Sequence, residues 1–109
     1  MYISPKRIIL LVFAILAVSV LSPAHTVTLS WDPATVPTGQ SPIAHQYVYR
    51  QKNCAGAFDR RAELSPTTQS WIDDSVAPGV TYCYYVEASN KTGKISSPSN
   101  ISVAAIPSP

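Results

Sequence analysis

Two patterns divide the chain. Residues 8–21 are apolar except for Ser19, with no polar face at the helical or the strand period. From residue 27 onward apolar and polar positions mostly alternate, and turn-forming residues recur about every ten positions, the signal of short strands in an all-β sandwich. This predicts strands over 27–31, with Val27, Leu29 and Trp31 on one face, over 43–50, around Phe58, over 70–72, over 80–88 and over 95–106. Asp32-Pro33, the 37–42 loop, residues 53–56, Pro78-Gly79 and the hairpin sequence Asn90-Lys91-Thr92-Gly93 separate them. No helical period of useful length occurs outside the first apolar run.

Lys6 and Arg7 precede that run, and Ser22-Pro23-Ala24 follows it. A charged start, an apolar middle and a small-residue site are the parts of a secretory signal, so residues 1–24 are expected to be a signal-peptide helix cut after Ala24. At fourteen residues the run falls short of the ~20 that span a bilayer as a helix; it would hold the chain to a membrane only if left uncut. The product is expected to be secreted, periplasmic or at the cell surface. Residues 25–109 then form one domain, too small for a multi-layer enzyme with a deep cleft. Ten prolines, four glycines and 13% charged residues argue against long helices and against a charged disordered tail. Losing Lys6 and Arg7 from eight basic residues leaves six against six acidic ones, so the remaining domain is neutral and has no basic patch for nucleic acid. Arg60-Arg61, its densest basic pair, reads as a solvated edge-strand pair.

The stretches Val27-Thr28-Leu29-Ser30-Trp31-Asp32, Val48-Tyr49-Arg50, residues 73–82, Val86-Glu87-Ala88-Ser89-Asn90 and Ser97-Pro98-Ser99-Asn100 together resemble, in order and spacing, strands B, C, E, F and G of a fibronectin type III domain, an immunoglobulin-like β-sandwich, in particular the short bacterial exported single-module type. The resemblance implies that Trp31 fills the core and that Tyr82, opening strand F, makes the corner hydrogen bond of such sandwiches. Alternation then turns Tyr82, Tyr84, Val86 and Ala88 inward and Cys83, Tyr85 and Glu87 outward. It also makes the ends of strands C and F neighbours, so in an oxidising compartment Cys54 and Cys83 are expected to form a disulfide, with two half-buried free thiols as the alternative. With residues 1–24 removed, strand A is short or missing, and strand B becomes an exposed edge open to strand capture or self-association. Arg61 stands where the family usually has an apolar residue, which implies a poorly packed edge there.

Candidate chemistry is sparse. A chain starting at His25 resembles the terminal histidine of a copper brace, but His45, the other histidine, is expected ~20 Å away at the far end of strand B, so both read as exposed and no metal is expected. Asp73 and Asp74 alternate in direction and read as strand-end residues. Asn90-Lys91-Thr92 and Asn100-Ile101-Ser102 fit a glycosylation pattern, which the bacterial resemblance argues against. The sequence shows no nucleophile–base pair, phosphate loop, paired-cysteine metal spacing or calcium loop, so no enzyme activity and no cofactor are expected. Alternation places Tyr47, Tyr49 and Tyr85 on the outer face of one sheet, the expected binding face. The functional expectation is a non-catalytic exported module for protein or surface interaction, with a carbohydrate-binding or enzyme-accessory domain as the alternative.

Overall fold

A computed structural model describes residues 10–17, 24–32, 36 and 38–108, with side chains from residue 25 onward. Its strands are β1 (Leu10–Ala17), β2 (Ala24–Trp31), β3 (Ile43–Lys52), β4 (Asp59–Leu64), β5 (Ser70–Asp73), β6 (Thr81–Asn90) and β7 (Ser102–Ala105). A three-stranded sheet, β1-β2-β5, faces a four-stranded sheet, β4-β3-β6-β7, and every pairing is antiparallel.

The period-2 pattern decides which residues meet between the sheets. Val27, Leu29 and Trp31 from β2 pack against Val48 of β3, Tyr82, Tyr84 and Val86 of β6, and Ala104 and Ile106 at the end of the chain. Each fully buried Val or Leu contributes about 1.5–3 kcal/mol relative to exposure. Trp31 occupies the core as the resemblance implied, and its indole N–H donates to Gln46 Oε1 at 2.8 Å. Gln46 Nε2 donates in turn to the carbonyls of Ser65 and Thr68, at 2.9 and 2.7 Å, so the one amide in this part of the core ties both sheets to the β4–β5 connection. The backbone N–H of Ala77 donates to Tyr82 Oη at 2.9 Å, closing the expected corner.

The amino-terminal region departs from expectation. Strand A was expected to be short or missing behind a signal helix. Instead Leu10–Ala17 is a strand, β1, paired with the whole of β2 from Leu10↔Trp31 to Ala17↔Ala24. An apolar run without periodicity is ambiguous between helix and strand, and the open hydrogen-bonding edge of β2 resolves it in favour of a strand. His25, expected to be exposed, is consequently buried within β2. Lys6, Arg7 and the Ser22-Pro23 part of the cleavage site lie outside the described residues.

Two other expectations change. The strand foreseen over 95–106 is interrupted: Ile95 makes one bridge to Ser89, and regular pairing resumes only at Ser102. Between them Pro98 has no N–H to give. Ser96 and Ser99 hydroxyls accept the β6 N–H groups of Ala88 and Val86 at 2.9 Å, substituting side-chain oxygens for the missing ladder carbonyls. In β4, the register moves from Val48↔Ala62 to Tyr49↔Arg60, so Arg61 is the extra residue of a bulge. The edge is therefore packed after all: Ala62 and Leu64 reach the core while Arg61 donates to Ser75 Oγ.

Asp73 is a buried carboxylate rather than a simple strand-end residue, whereas Asp74, just past the end of β5, is exposed. Its carboxylate accepts hydrogen bonds from Tyr84 Oη (2.7 Å), Arg50 Nη1 (3.0 Å), and the backbone N and Oγ of Ser75 (3.1 and 2.7 Å). Burial by itself would raise the pKa of Asp73, but these donors outweigh it and hold the carboxyl below its ordinary range. Tyr84 is pushed well above the usual phenol range, by burial and by the adjacent carboxylate. Because the folded pKa is the lower one, the stabilisation is complete above the unfolded-state value of about 3.9 and is lost as pH falls through the folded value. Asp73→Asn, which leaves Arg50 without its charge partner, is expected to cost about 3–5 kcal/mol in urea denaturation at neutral pH. It is also expected to flatten the acid-side loss of stability that the parent should show below about pH 4.

Candidate functional site

The outer face of the four-stranded sheet carries the molecule's aromatic cluster. In the β3–β6 ladder Tyr47 pairs with Glu87 and Tyr49 with Tyr85, so all four side chains rise from the same face. The Tyr49 and Tyr85 rings stack at a centroid distance of 4.8 Å and 17°. Phe58, just before β4, meets Tyr85 edge-on at 4.7 Å, and His45 lies beside Tyr47 at 6.1 Å. The structure thus brings together the three tyrosines expected from the sequence.

Phe58, Arg60, His45 and Glu87 complete the cluster, and sequence reasoning did not include them. The bulge at Arg61 explains Arg60: a regular β4 would set Arg61 opposite Tyr49, whereas the extra residue sets Arg60 there. Its guanidinium lies 4.0 Å over the Tyr47 ring and 5.8 Å from that of Tyr49, and Nη2 donates to Tyr49 Oη at 3.3 Å. Arg60 is therefore engaged by two aromatic rings and is not simply a solvated charge. Under it Tyr47 is only 9% exposed, while Tyr49, Tyr85 and Phe58 are half-buried. Nothing in the local sequence signals the bulge, so Arg60 and Arg61 could not be told apart beforehand.

Electrostatics follow from this partial burial. Glu87 is raised above the ordinary carboxylate range, chiefly by desolvation, against a hydrogen bond from Tyr49 and the nearby charge of Arg60. Tyr85 is raised by burial first, then by Glu87 and Tyr49. The face combines apolar ring surface, phenol hydroxyls, the Arg60 guanidinium and two carboxylates, Glu87 and, opposite Tyr47 on β4, Glu63.

Cys54 and Cys83 are joined by a disulfide at one end of this ladder. Asn53 and Cys54 both have positive φ, 59° and 50°, forming a tight turn that the bond holds over β6. Closing a loop of this length stabilises by roughly 3 kcal/mol on the chain-entropy model. At the opposite end, Asn90 Oδ1 accepts from Thr92 N, Thr92 Oγ1 and Lys94 N, which gives Asn90 a turn-forming role. His25 and His45 sit on different sheets, and among the described residues no three His, Cys, Asp or Glu side chains form a metal-holding group.

No protein-family profile and no curated protein matches the chain. Solved structures do. The third fibronectin III domain of human KIAA0343 protein superposes with a TM-score of 0.62 at 16% identity, over 77% of this chain and 72% of that one. The fold is that of a fibronectin type III domain. The twitchin kinase region from C. elegans, which includes such a domain, matches with a TM-score of 0.64 at 23% identity, over 75% of this chain. Pectate lyase PelI from Erwinia chrysanthemi, in complex with tetragalacturonic acid, matches with a TM-score of 0.59 at 22% identity, over 85% of this chain. The chain spans only 14% of the twitchin region and 28% of the lyase, so it corresponds to one module within larger proteins. In fibronectin type III terms the strand that occupies position A here is β1.

A double-mutant cycle of Tyr49→Ala and Tyr85→Ala is expected to give a coupling energy of about 0.5–1.5 kcal/mol in chemical denaturation, as for other stacked rings. Additive single-variant losses would contradict the stacking.

Proposed function

We propose that the chain is an exported, non-catalytic interaction module that binds a protein or surface partner through Tyr47, Tyr49 and Tyr85, framed by Phe58 and Arg60. The observation carrying this reading is the clustering of these rings on one sheet face with a guanidinium laid across them. Tyrosine and arginine are the side chains that most often anchor protein interfaces. The alternative, a carbohydrate-binding or enzyme-accessory domain, draws on the likeness to the pectate lyase. A sugar stacks on an open ring face, however, whereas Tyr49 and Tyr85 cover one another and Arg60 covers Tyr47. The arrangement favours a protein partner, which can use ring edges, hydroxyls and the guanidinium together.

Export is supported by the Lys6-Arg7 start, the apolar run and the Ser22-Pro23-Ala24 ending, and the disulfide suits an oxidising compartment. Intact mass of protein recovered outside the cytoplasm is expected to correspond to a chain beginning at His25; full-length chain found solely in membranes would replace secretion with anchoring.

The binding face is tested by comparing the parent with a folded Tyr47→Ala/Tyr49→Ala/Tyr85→Ala variant. Each is used to capture cell-surface proteins and, separately, is passed over immobilised polygalacturonate. The expected result is a specific surface protein held by the parent and reduced at least tenfold with the variant, an effect of more than about 1.4 kcal/mol. Equal capture by both would place binding elsewhere. Retention on polygalacturonate alone, lost in the variant, would favour the carbohydrate reading.

A further inference from the structure

The strand edges differ sharply in chemistry. In β4 the edge reads Asp59-Arg60-Arg61-Ala62-Glu63-Leu64, four charges and a bulge, two devices that discourage pairing with another chain. The edges of β5 and β7 are four residues long, and Pro66 and Asp74 flank the first while Pro98 and Pro107 flank the second. From His25 to Trp31, β2 carries no proline, acidic residue, lysine or arginine. Such a strand is suited to the middle of a sheet, and in the full chain β1 keeps it there, itself lying against β7. Removal of residues 1–24 would take β1 away and leave β2 as a long unguarded edge.

We propose that the β2 edge is a strand-acceptor surface for a second copy of this chain, covered by Leu10–Ala17 in the full-length protein and opened when the leader is removed. The inference rests on the export reading for its trigger, but the pairing itself is a property of β2. Antiparallel pairing of two β2 strands about a two-fold axis at Thr28 sets Val27 opposite Leu29 and Thr26 opposite Ser30 of the other copy. Inward apolar positions then continue both cores, and a sheet β5-β2-β2-β5 runs across the two molecules. The two Thr28 residues face one another on the axis. Among the described residues Thr28 Oγ1 is buried with no hydrogen-bond partner when β1 covers β2, and a facing threonine supplies one. The β4 edge offers no equivalent, because its bulge interrupts the regular ladder that a second strand would need.

The test uses the full chain. Val12→Pro/Phe13→Pro places prolines at two consecutive β1 positions, one of whose N–H groups must point toward β2, and so uncovers β2 without cleavage. In sedimentation over a wide concentration range the parent is expected to remain at 11.8 kDa and the proline variant to double in mass as concentration rises. Adding Thr26→Lys/Ser30→Lys, which sets like charges opposite one another, is expected to abolish the doubling. Mixing that variant with its Thr26→Glu/Ser30→Glu counterpart is expected to restore it. A proline variant that stays monomeric over the same range overturns the proposal, as does doubling that the lysines leave untouched. Loss of near-ultraviolet circular dichroism in the proline variant overturns it too, because β1 would then be indispensable to the sandwich. An uncut leader in the exported protein would refute cleavage as the trigger while leaving the pairing result of the proline variant unaffected.

Discussion

The antiparallel pairing of β3 with β6, from Ile43↔Asn90 to Lys52↔Tyr82, is the constraint on which the rest of the structure depends. Because side chains alternate strictly along each strand, this one register assigns every residue of the two longest strands of the second sheet to a face. Gln46, Val48, Tyr84 and Val86 turn inward, where they meet Trp31, Leu29 and Val27. Tyr47, Tyr49, Tyr85 and Glu87 turn outward and become the aromatic face. A slip of one residue would exchange the two sets, burying the charge of Glu87 and exposing Val86. The Cys54–Cys83 bond fixes the register at one end, and the Asn90 turn fixes it at the other.

Buried polar groups make the two sheets specific to one another. Hydrophobic contact alone tolerates sliding, but Trp31–Gln46 and Asp73–Tyr84–Arg50 each demand a single alignment of β2 and β5 on β3 and β6. Arg50 also lies over the Tyr82 ring, at 4.8 Å, so the ion pair and the tyrosine corner share one cation. Breaking either network strands a desolvated group, at about 1–3 kcal/mol for a neutral one and more for a charge.

Most of this architecture was legible in the sequence because it follows from alternation. Val27, Leu29 and Trp31 inward, Tyr47, Tyr49 and Tyr85 outward, and the Trp31 and Tyr82 core positions all follow from period 2 and family likeness. What the sequence did not disclose depends on breaks in that period. The Arg61 bulge inverts the face of every residue on one side of it, so Arg60 and not Arg61 reached the tyrosines. Ser96 and Ser99 replace ladder carbonyls with hydroxyls, which looks like an ordinary strand until Pro98 is weighed. Asp73 reads as a strand-end carboxylate, because its partners Arg50 and Tyr84 lie 23 and 11 residues away in sequence. Leu10–Ala17 has the composition of a leader and the pairing of a strand, and only the unfilled edge of β2 distinguishes the second use.

Cross-strand nuclear Overhauser contacts between β3 and β6 test this account most directly. The register requires ring contacts between Tyr49 and Tyr85 and backbone contacts between Val48 and Val86, together with an oxidised Cys54–Cys83 pair. Contacts placing Tyr49 opposite Tyr84 or Val86 instead would shift the ladder by one residue, and both the core and the aromatic face described here would be contradicted.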